Sequence, residues 1–87
     1  MERVFGMDVH KNVLVTTIIT EEGEETRWSG VDAADLKNLM EWLKDKKCLK
    51  GVMESSGIYW VPIYAPMRKL HIKFTPIMNT HSHIHSL

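Results

Sequence analysis

The first 29 residues follow patterns typical of β-strands. Residues 3–9 are mostly apolar, residues 13–20 are almost wholly β-branched, and residues 24–29 are more polar. They are separated by the turn-forming sequences HKN and EEGE. β-Branched residues favour strands, and short turns join antiparallel neighbours. The pattern therefore predicts a three-stranded antiparallel meander.

The spacing of apolar positions then changes to three and four residues, which indicates a helix. Its apolar face consists of Leu36, Leu39, Met40 and Leu43. Asp32 suits the N-cap, and lysines gather at the other end, where the helix dipole favours cations. We predict a helix over residues 33–47.

The remaining sequence predicts two more strands around a second helix. We expect strands over residues 49–54 and 71–78, a short or bent helix within 58–70, and a polar tail or short helix over 79–87. Pro62 suits the first turn of that helix, and Ser55 or Ser56 is a candidate cap. Proline at position 66 removes a helical hydrogen bond, which should shorten or kink the helix.

The predicted order of elements is βββαβαβ. If the fourth strand pairs in parallel beside the first through a right-handed crossover, the sheet has the mixed order 3-2-1-4-5. This α/β arrangement resembles the core of the RNase H-like, RuvC-like fold. Open sheets of this kind place their sites where the strand order reverses, at the carboxyl ends of the first and fourth strands.

Asp8 and Glu54 stand at those two strand ends. A carboxylate there is costly unless it is solvated, paired or bound to a cation, so two of them suggest a divalent-metal site. Structural roles compete with this interpretation. Asp8 could accept backbone hydrogen bonds near a turn, and Glu54 could be stabilised by the dipole of the following helix.

Composition limits the size and class of the protein but does not indicate a function. The 87 residues fit one small domain, and the formal net charge is zero. Residues 1–54 contain eleven acids and eight Lys/Arg, a net charge of −3, whereas residues 55–87 contain three Lys/Arg and no acid, a net charge of +3. That basic part also holds four of the five histidines. It could meet a phosphate backbone, but so short a segment can lack acids by chance.

Localisation follows from cysteine usage and hydropathy. Cys48 is the only cysteine, so no internal disulfide is possible, which suits a reducing compartment. We expect it to be a small buried residue near a helix end. The sequence lacks a signal-peptide pattern and an apolar run long enough to span a membrane. We therefore expect a cytoplasmic protein.

Three segments resemble the start of the DEDD transposases of insertion sequences, whose relatives include the Piv-type DNA invertases. They are GMDVHK at residues 6–11, the pair WL at 42–43 and MESSGIYWVP at 53–62. The resemblance runs from residue 4 to at least residue 79, and its most specific part is the segment that begins at Glu54.

The resemblance implies a RuvC-like domain in which four acidic residues bind Mg²⁺, or Mn²⁺, for DNA cleavage and strand transfer. By matching motifs, Asp8 is the first of these catalytic, metal-binding acids and Glu54 the second. The family also implies DNA as substrate and a structured guide RNA of the element as a partner.

The third and fourth acids of the family, in a stretch resembling KTDxxDA, have no counterpart here. Residues 55–87 contain no Asp or Glu, and the acids of the predicted first helix precede Glu54. We therefore expect residues 1–87 to be a fragment, the N-terminal part of such a catalytic domain, without efficient cleavage alone. The alternative is a non-catalytic RNase H-like module that binds nucleic acid or self-associates, and we expect a homo-oligomer.

The residues with a possible nucleic-acid contact are Lys11, Ser55, Tyr59, Asn79 and His81. Lysine at position 11 could reach a phosphate beside Asp8, and the aromatic residues 59, 60 and 64 could stack on bases. For the aromatic residues, packing against the sheet is the competing interpretation, and we prefer it for Trp60. For Ser55, we prefer a role as a helix cap.

The histidines of the tail are a separate candidate. His81, His83 and His85 alternate, so on an extended segment they would face one side and could bind Zn²⁺ or Ni²⁺, whereas on a helix only His81 and His85 would align. No cysteine or acid accompanies them. A polar tail that faces nucleic acid is the interpretation that we prefer.

Overall fold

One five-stranded mixed sheet carries the fold, and two helices pack on one of its faces. The computed structural model describes residues 2–55 and 57–78. The elements are β1 (Val4–Val9), β2 (Leu14–Thr20), β3 (Gly23–Ser29), α1 (Ala33–Asp45), β4 (Lys50–Ser55), α2 (Val61–Lys69) and β5 (Lys73–Met78). The strand order is β3-β2-β1-β4-β5, with β1 antiparallel to β2 and parallel to β4. The predicted order is confirmed, and strand bounds agree within two residues.

Alternation along the strands gives the sheet two different faces. On the inner face, residues such as Phe5, Met7 and Val9 are buried and join side chains of α1 and α2 in one core. On the outer face, the intervening residues are exposed or half-buried. The outer face consists of Val4, Gly6, Asp8, Val15, Thr17, Ile19, Glu24, Thr26, Trp28, Lys50, Val52, Glu54, Lys73, Thr75 and Ile77. Within the described residues, no helix covers it.

Helix α1 begins as predicted and ends two residues early. Asp32 is its N-cap, and the side chain accepts a hydrogen bond from the backbone N–H of Asp35 at 2.8 Å. The predicted end at residue 47 is wrong because Lys47 takes a left-handed conformation with φ of 57°. The N–H of Cys48 then bonds to the carbonyl of Leu43 at 2.9 Å, which is the long bond of a Schellman motif.

The buried residue after that turn explains why a lysine tolerates a conformation that usually needs glycine. Cys48 is fully buried in the core, and its burial raises the pKa of its thiol. Packing of this side chain therefore holds the turn at Lys47 in place. Helix α2 ends in the same way, with His71 at a φ of 59° followed by the buried Ile72.

Helix α2 begins without a side-chain cap. Trp60 occupies the N-cap position and makes no capping hydrogen bond, while Pro62 lies in the first turn as predicted. The predicted capping by Ser55 is wrong. Ser55 is the last residue of β4, is buried on the inner face, and donates from its hydroxyl to the carbonyl of Gly57 at 3.4 Å. Ser56 lies outside the described residues.

The helix is short, as predicted, with nine residues, and it continues through Pro66. Within the described ranges, neither helix is long and apolar enough to cross a membrane.

An ionic network ties the start of β1 to the end of α1. Arg3 forms an ion pair with Glu21 and donates to the carbonyl oxygen of Lys46 at 2.7 Å. The ammonium of Lys46 lies 3.5 Å from a carboxylate oxygen of Glu25. The hydrogen bond from Arg3, helped by a backbone hydrogen bond, lowers the pKa of Glu21 from 4.5 to about 2.

Close approach between β1 and β4 at Gly51 leads to a first prediction. A methyl group at Gly51 would overlap the carbonyl oxygen and ring of Phe5, whereas one at Gly6 would meet nothing within 4 Å. We expect Gly51→Ala to lower the free energy of unfolding by about 2–3 kcal/mol. The matched Gly6→Ala should be neutral or stabilise by up to about 1 kcal/mol, because alanine loses less backbone entropy on folding. Urea unfolding of both variants measures this, and equal losses would contradict the packing described.

The Arg3–Glu21 pair predicts a pH dependence. The pKa of Glu21 is depressed on folding, so its contribution is complete above pH 4.5 and is lost as the pH falls toward 2. We expect the melting temperature of the protein to exceed that of Glu21→Gln near neutral pH, with the gap closing over this acidic range. Thermal melts from pH 7 to pH 2 measure the gap.

The control is Glu22→Gln, which removes the same charge one residue away from the pair. A gap of similar size and pH dependence in that variant would show that the effect comes from net charge and not from Arg3.

Candidate functional site

Asp8 and Glu54 are neighbours across the parallel strands β1 and β4. Each is the second-last residue of its strand, and the two are directly paired in register. Neighbouring strands lie about 4.8 Å apart, and paired residues of parallel strands share a face. Both side chains are exposed, on the outer face. The structure therefore brings the two predicted acids side by side near the carboxyl ends of adjacent strands.

The register that makes this pair is set further back on the same strands. Phe5 pairs with Gly51, and its ring occupies the space that a side chain at Gly51 would need. Three residues further along both strands, the same register places Asp8 opposite Glu54.

The surroundings of the pair on the outer face are apolar and open. Val15 of β2 pairs with Asp8, and Ile77 of β5 pairs with Glu54, so the carboxylates stand between two aliphatic residues. Gly6, two residues before Asp8 on β1, lies on the same face and leaves free space there. Among the described residues, neither carboxylate has a hydrogen bond or ion pair from another side chain.

Two adjacent carboxylates without a cationic partner repel each other, and a divalent cation would relieve that repulsion. The donor set suits Mg²⁺, a hard ion that takes one or two carboxylates and keeps several waters. In the part of the chain that the structure describes, no cluster of three or more potential ligands is present. The pair therefore fits a cation that takes most of its ligands from water or substrate.

A shallow cleft lies at the same end of the sheet but on the side of the helices, since its lining includes the buried Leu36 of α1. It has a volume of about 340 Å³, and its lining includes Lys11 from the β1–β2 turn and Tyr59 from the segment after β4. Ile58 and Val61 also line it and are 75% and 52% exposed. Two of the predicted nucleic-acid contacts thus share one surface. These two aliphatic residues were not predicted to line a site, although their position beside Tyr59 in the same segment could have indicated them.

Within the described part of the chain, the other residues predicted to contact nucleic acid are not found at the cleft. Ser55 is 2% exposed on the inner face, so its hydroxyl is not available to a ligand on the surface. Asn79, His81, His83 and His85 lie outside the described residues.

The aromatic residues at and within α2 pack against neighbouring side chains, which is the interpretation that we preferred for Trp60. This side chain is half-buried against the core and meets Tyr64 edge to face, with ring centroids 6.0 Å apart. Tyr64 in turn meets Phe74 of β5 at 5.8 Å. These contacts anchor α2 on the sheet and leave Tyr59 as the aromatic side chain of the cleft.

Comparison with known proteins identifies the fold. A scan against protein-family models finds no match, and a search of curated proteins finds no significant match. Among solved structures, RuvC of T. thermophilus in complex with a Holliday junction substrate is similar, with a TM-score of 0.68 and 7% sequence identity. The match covers 91% of this chain and 66% of the RuvC chain. An identity this low shows the fold alone, and the chain has the mixed α/β sheet of the RuvC-like, RNase H-like fold.

Proposed function

We propose that the chain is the N-terminal part of a DNA-processing domain of the DEDD transposase type, in which Asp8 and Glu54 bind Mg²⁺ or Mn²⁺. One observation carries the proposal: these two acids are paired in register on β1 and β4 and stand exposed on one face. The RuvC-like fold and the resemblance of the segments around both acids support it.

The residues of the chain would have separate roles. Asp8 and Glu54 would hold the ion, and the ion when bound would stabilise negative charge on the oxygens of a phosphodiester. Lys11 would contact a phosphate, since its ammonium is a mobile point charge. Tyr59 would offer its ring to an unpaired base. All four residues lie at the carboxyl ends of β1 and β4 or just after them, so one nucleic-acid strand that passes around this end of the sheet would meet them.

Two acids are half of the four-carboxylate site that the resemblance implies. Because residues 55–87 contain no Asp or Glu, the chain can supply no acid after Glu54. We infer that residues 1–87 bind a divalent ion weakly, and that cleavage and strand transfer need further carboxylates from outside this segment. The guide RNA belongs to the same proposal and rests on the resemblance.

A second candidate function follows from the same missing acids. A non-catalytic RNase H-like module would bind nucleic acid through Lys11 and Tyr59 without a metal. The two candidates differ in whether binding of DNA depends on Mg²⁺ and on the two carboxylates.

The metal site is tested by titration with Mn²⁺, followed by its electron paramagnetic resonance signal. We expect Asp8→Asn and Glu54→Gln each to weaken Mn²⁺ binding at least about tenfold, or 1.4 kcal/mol, because each removes one of the two charged ligands. Mg²⁺ should compete for the same site.

The matched control is Asp45→Asn, which removes an exposed carboxylate at the end of α1. It should leave the affinity unchanged. If Asp8→Asn and Glu54→Gln bind Mn²⁺ as tightly as the original chain, the proposal that these two acids bind a metal is wrong. The second candidate function, a non-catalytic module, is then favoured.

The nucleic-acid surface is tested by the salt dependence of DNA binding, measured by fluorescence anisotropy with a junction or a duplex. A lysine that neutralises one phosphate contributes about 0.9 to the slope of log K against log salt. We expect Lys11→Gln to reduce the slope by about that amount. Lys50→Gln, at the opposite end of β4, should not change it. Equal effects of the two variants would remove the cleft from the DNA interface.

A further inference from the structure

β3 forms an exposed edge of the sheet. Six of its seven residues are exposed, and within the described residues it pairs with β2 alone. Every residue from Gly23 to Ser29 has a partner on β2, so the strand is regular and has no bulge. A long, regular edge presents unpaired backbone N–H and C=O groups that can pair with another strand.

The two edges of the sheet differ in their suitability for such pairing. β5, the other edge, contains Pro76, which lacks a backbone N–H. β3 contains no proline, and its central residues are Glu24, Glu25, Thr26, Arg27 and Trp28. These charges are not of one sign, and their order along the strand determines which partner fits.

We propose that β3 pairs antiparallel with β3 of a second copy of this chain, with Thr26 at the two-fold axis. In that register Glu25 of each copy lies opposite Arg27 of the other, so the interface contains two opposite-charge pairs. Directly opposed residues of antiparallel strands have adjacent side chains, and opposite charges there are favourable. The two sheets would join into one continuous sheet through an isologous contact.

Neighbouring registers are disfavoured by the same charges. Directly opposed residues of antiparallel strands lie on the same face, so the two-fold axis must pass through a residue and not between two residues. The nearest alternative registers therefore have the axis at one of the two neighbours of Thr26. With the axis at Glu25, two glutamates oppose each other, and with the axis at Arg27, two arginines do. Like charges directly opposite are destabilising. The sequence of β3 therefore selects one central register.

Contacts within the chain position these charges beside the edge. The carboxylate of Glu25 lies 3.5 Å from the ammonium of Lys46, and the guanidinium of Arg27 lies over the ring of Trp42 at 4.5 Å. Trp42 lies in the last turn of α1 and Lys46 is its C-cap, so the side chains of Glu25 and Arg27 both lie on the inner-face side of β3. The pairs across the axis would extend these contacts into a network on that side.

The size of the interface predicts a weak dimer. A strand edge buries less surface than the roughly 1,600 Å² of a standard interface. We expect a dissociation constant on the order of 0.1 mM.

Sedimentation equilibrium over a range of concentrations tests the proposal. Glu25→Arg and Arg27→Glu, made singly, place like charges opposite each other, and we expect each to weaken dimerisation at least about tenfold. The double variant Glu25→Arg/Arg27→Glu restores opposite charges and should dimerise like the original chain. A chain that stays monomeric at about 1 mM, or a double variant as weak as the single ones, would overturn the proposal.

Disulfide cross-linking tests the axis without changing a charge. A cysteine introduced by Thr26→Cys would face its own copy across the axis, at a separation that permits a disulfide. The matched control is Thr75→Cys, an exposed threonine on the outer face of β5. We expect oxidation to give a covalent dimer with Thr26→Cys and little with Thr75→Cys. Equal yields, or no dimer with Thr26→Cys, would overturn the proposed edge.

Discussion

The contact between Phe5 and Gly51 is the constraint on which the rest of the structure depends. It joins the meander β1–β3 to the parallel part of the sheet and fixes the register of β1 against β4. Side chains alternate along a strand, so a slip of one residue would turn Met53 out of the core and Glu54 into it. Burial of an unpaired carboxylate would be costly. Core packing and the position of the acidic pair are therefore consequences of one register.

In the part of the chain that the structure describes, both helices lie on one side of the sheet, so its two faces differ in composition. The inner face is filled by apolar side chains of β1, β2, β4, α1 and α2, including the aromatic rings of Phe5 and Trp42. The outer face combines the two carboxylates with exposed apolar residues such as Val52 and Ile77, which are 45% and 48% exposed. Because the acidic pair lies outside the core, its proposed metal role can be tested by substitutions at exposed positions.

Sequence patterns were sufficient for the strand order and for the adjacency of Asp8 and Glu54, because strand and helix periods differ and crossover topology leaves few arrangements. They were insufficient where tertiary packing decides. The end of α1 depends on the burial of Cys48, and the position of Ser55 on the inner face depends on the alternation that begins at Met53. The site residues matched by resemblance remain predictions, since the fold match carries no information on individual side chains.

The parallel pairing of β1 with β4 also bears on the order of folding. The hairpins β1–β2 and β2–β3 join residues close in sequence, whereas Phe5 and Gly51 must meet across the whole of the meander and α1. Non-local contacts carry a larger entropy cost of loop closure and tend to form late. Asp8 and Glu54 belong to different strands of that late pair. Their arrangement as a pair therefore requires the completed sheet, and in partly folded chains the two acids would be apart.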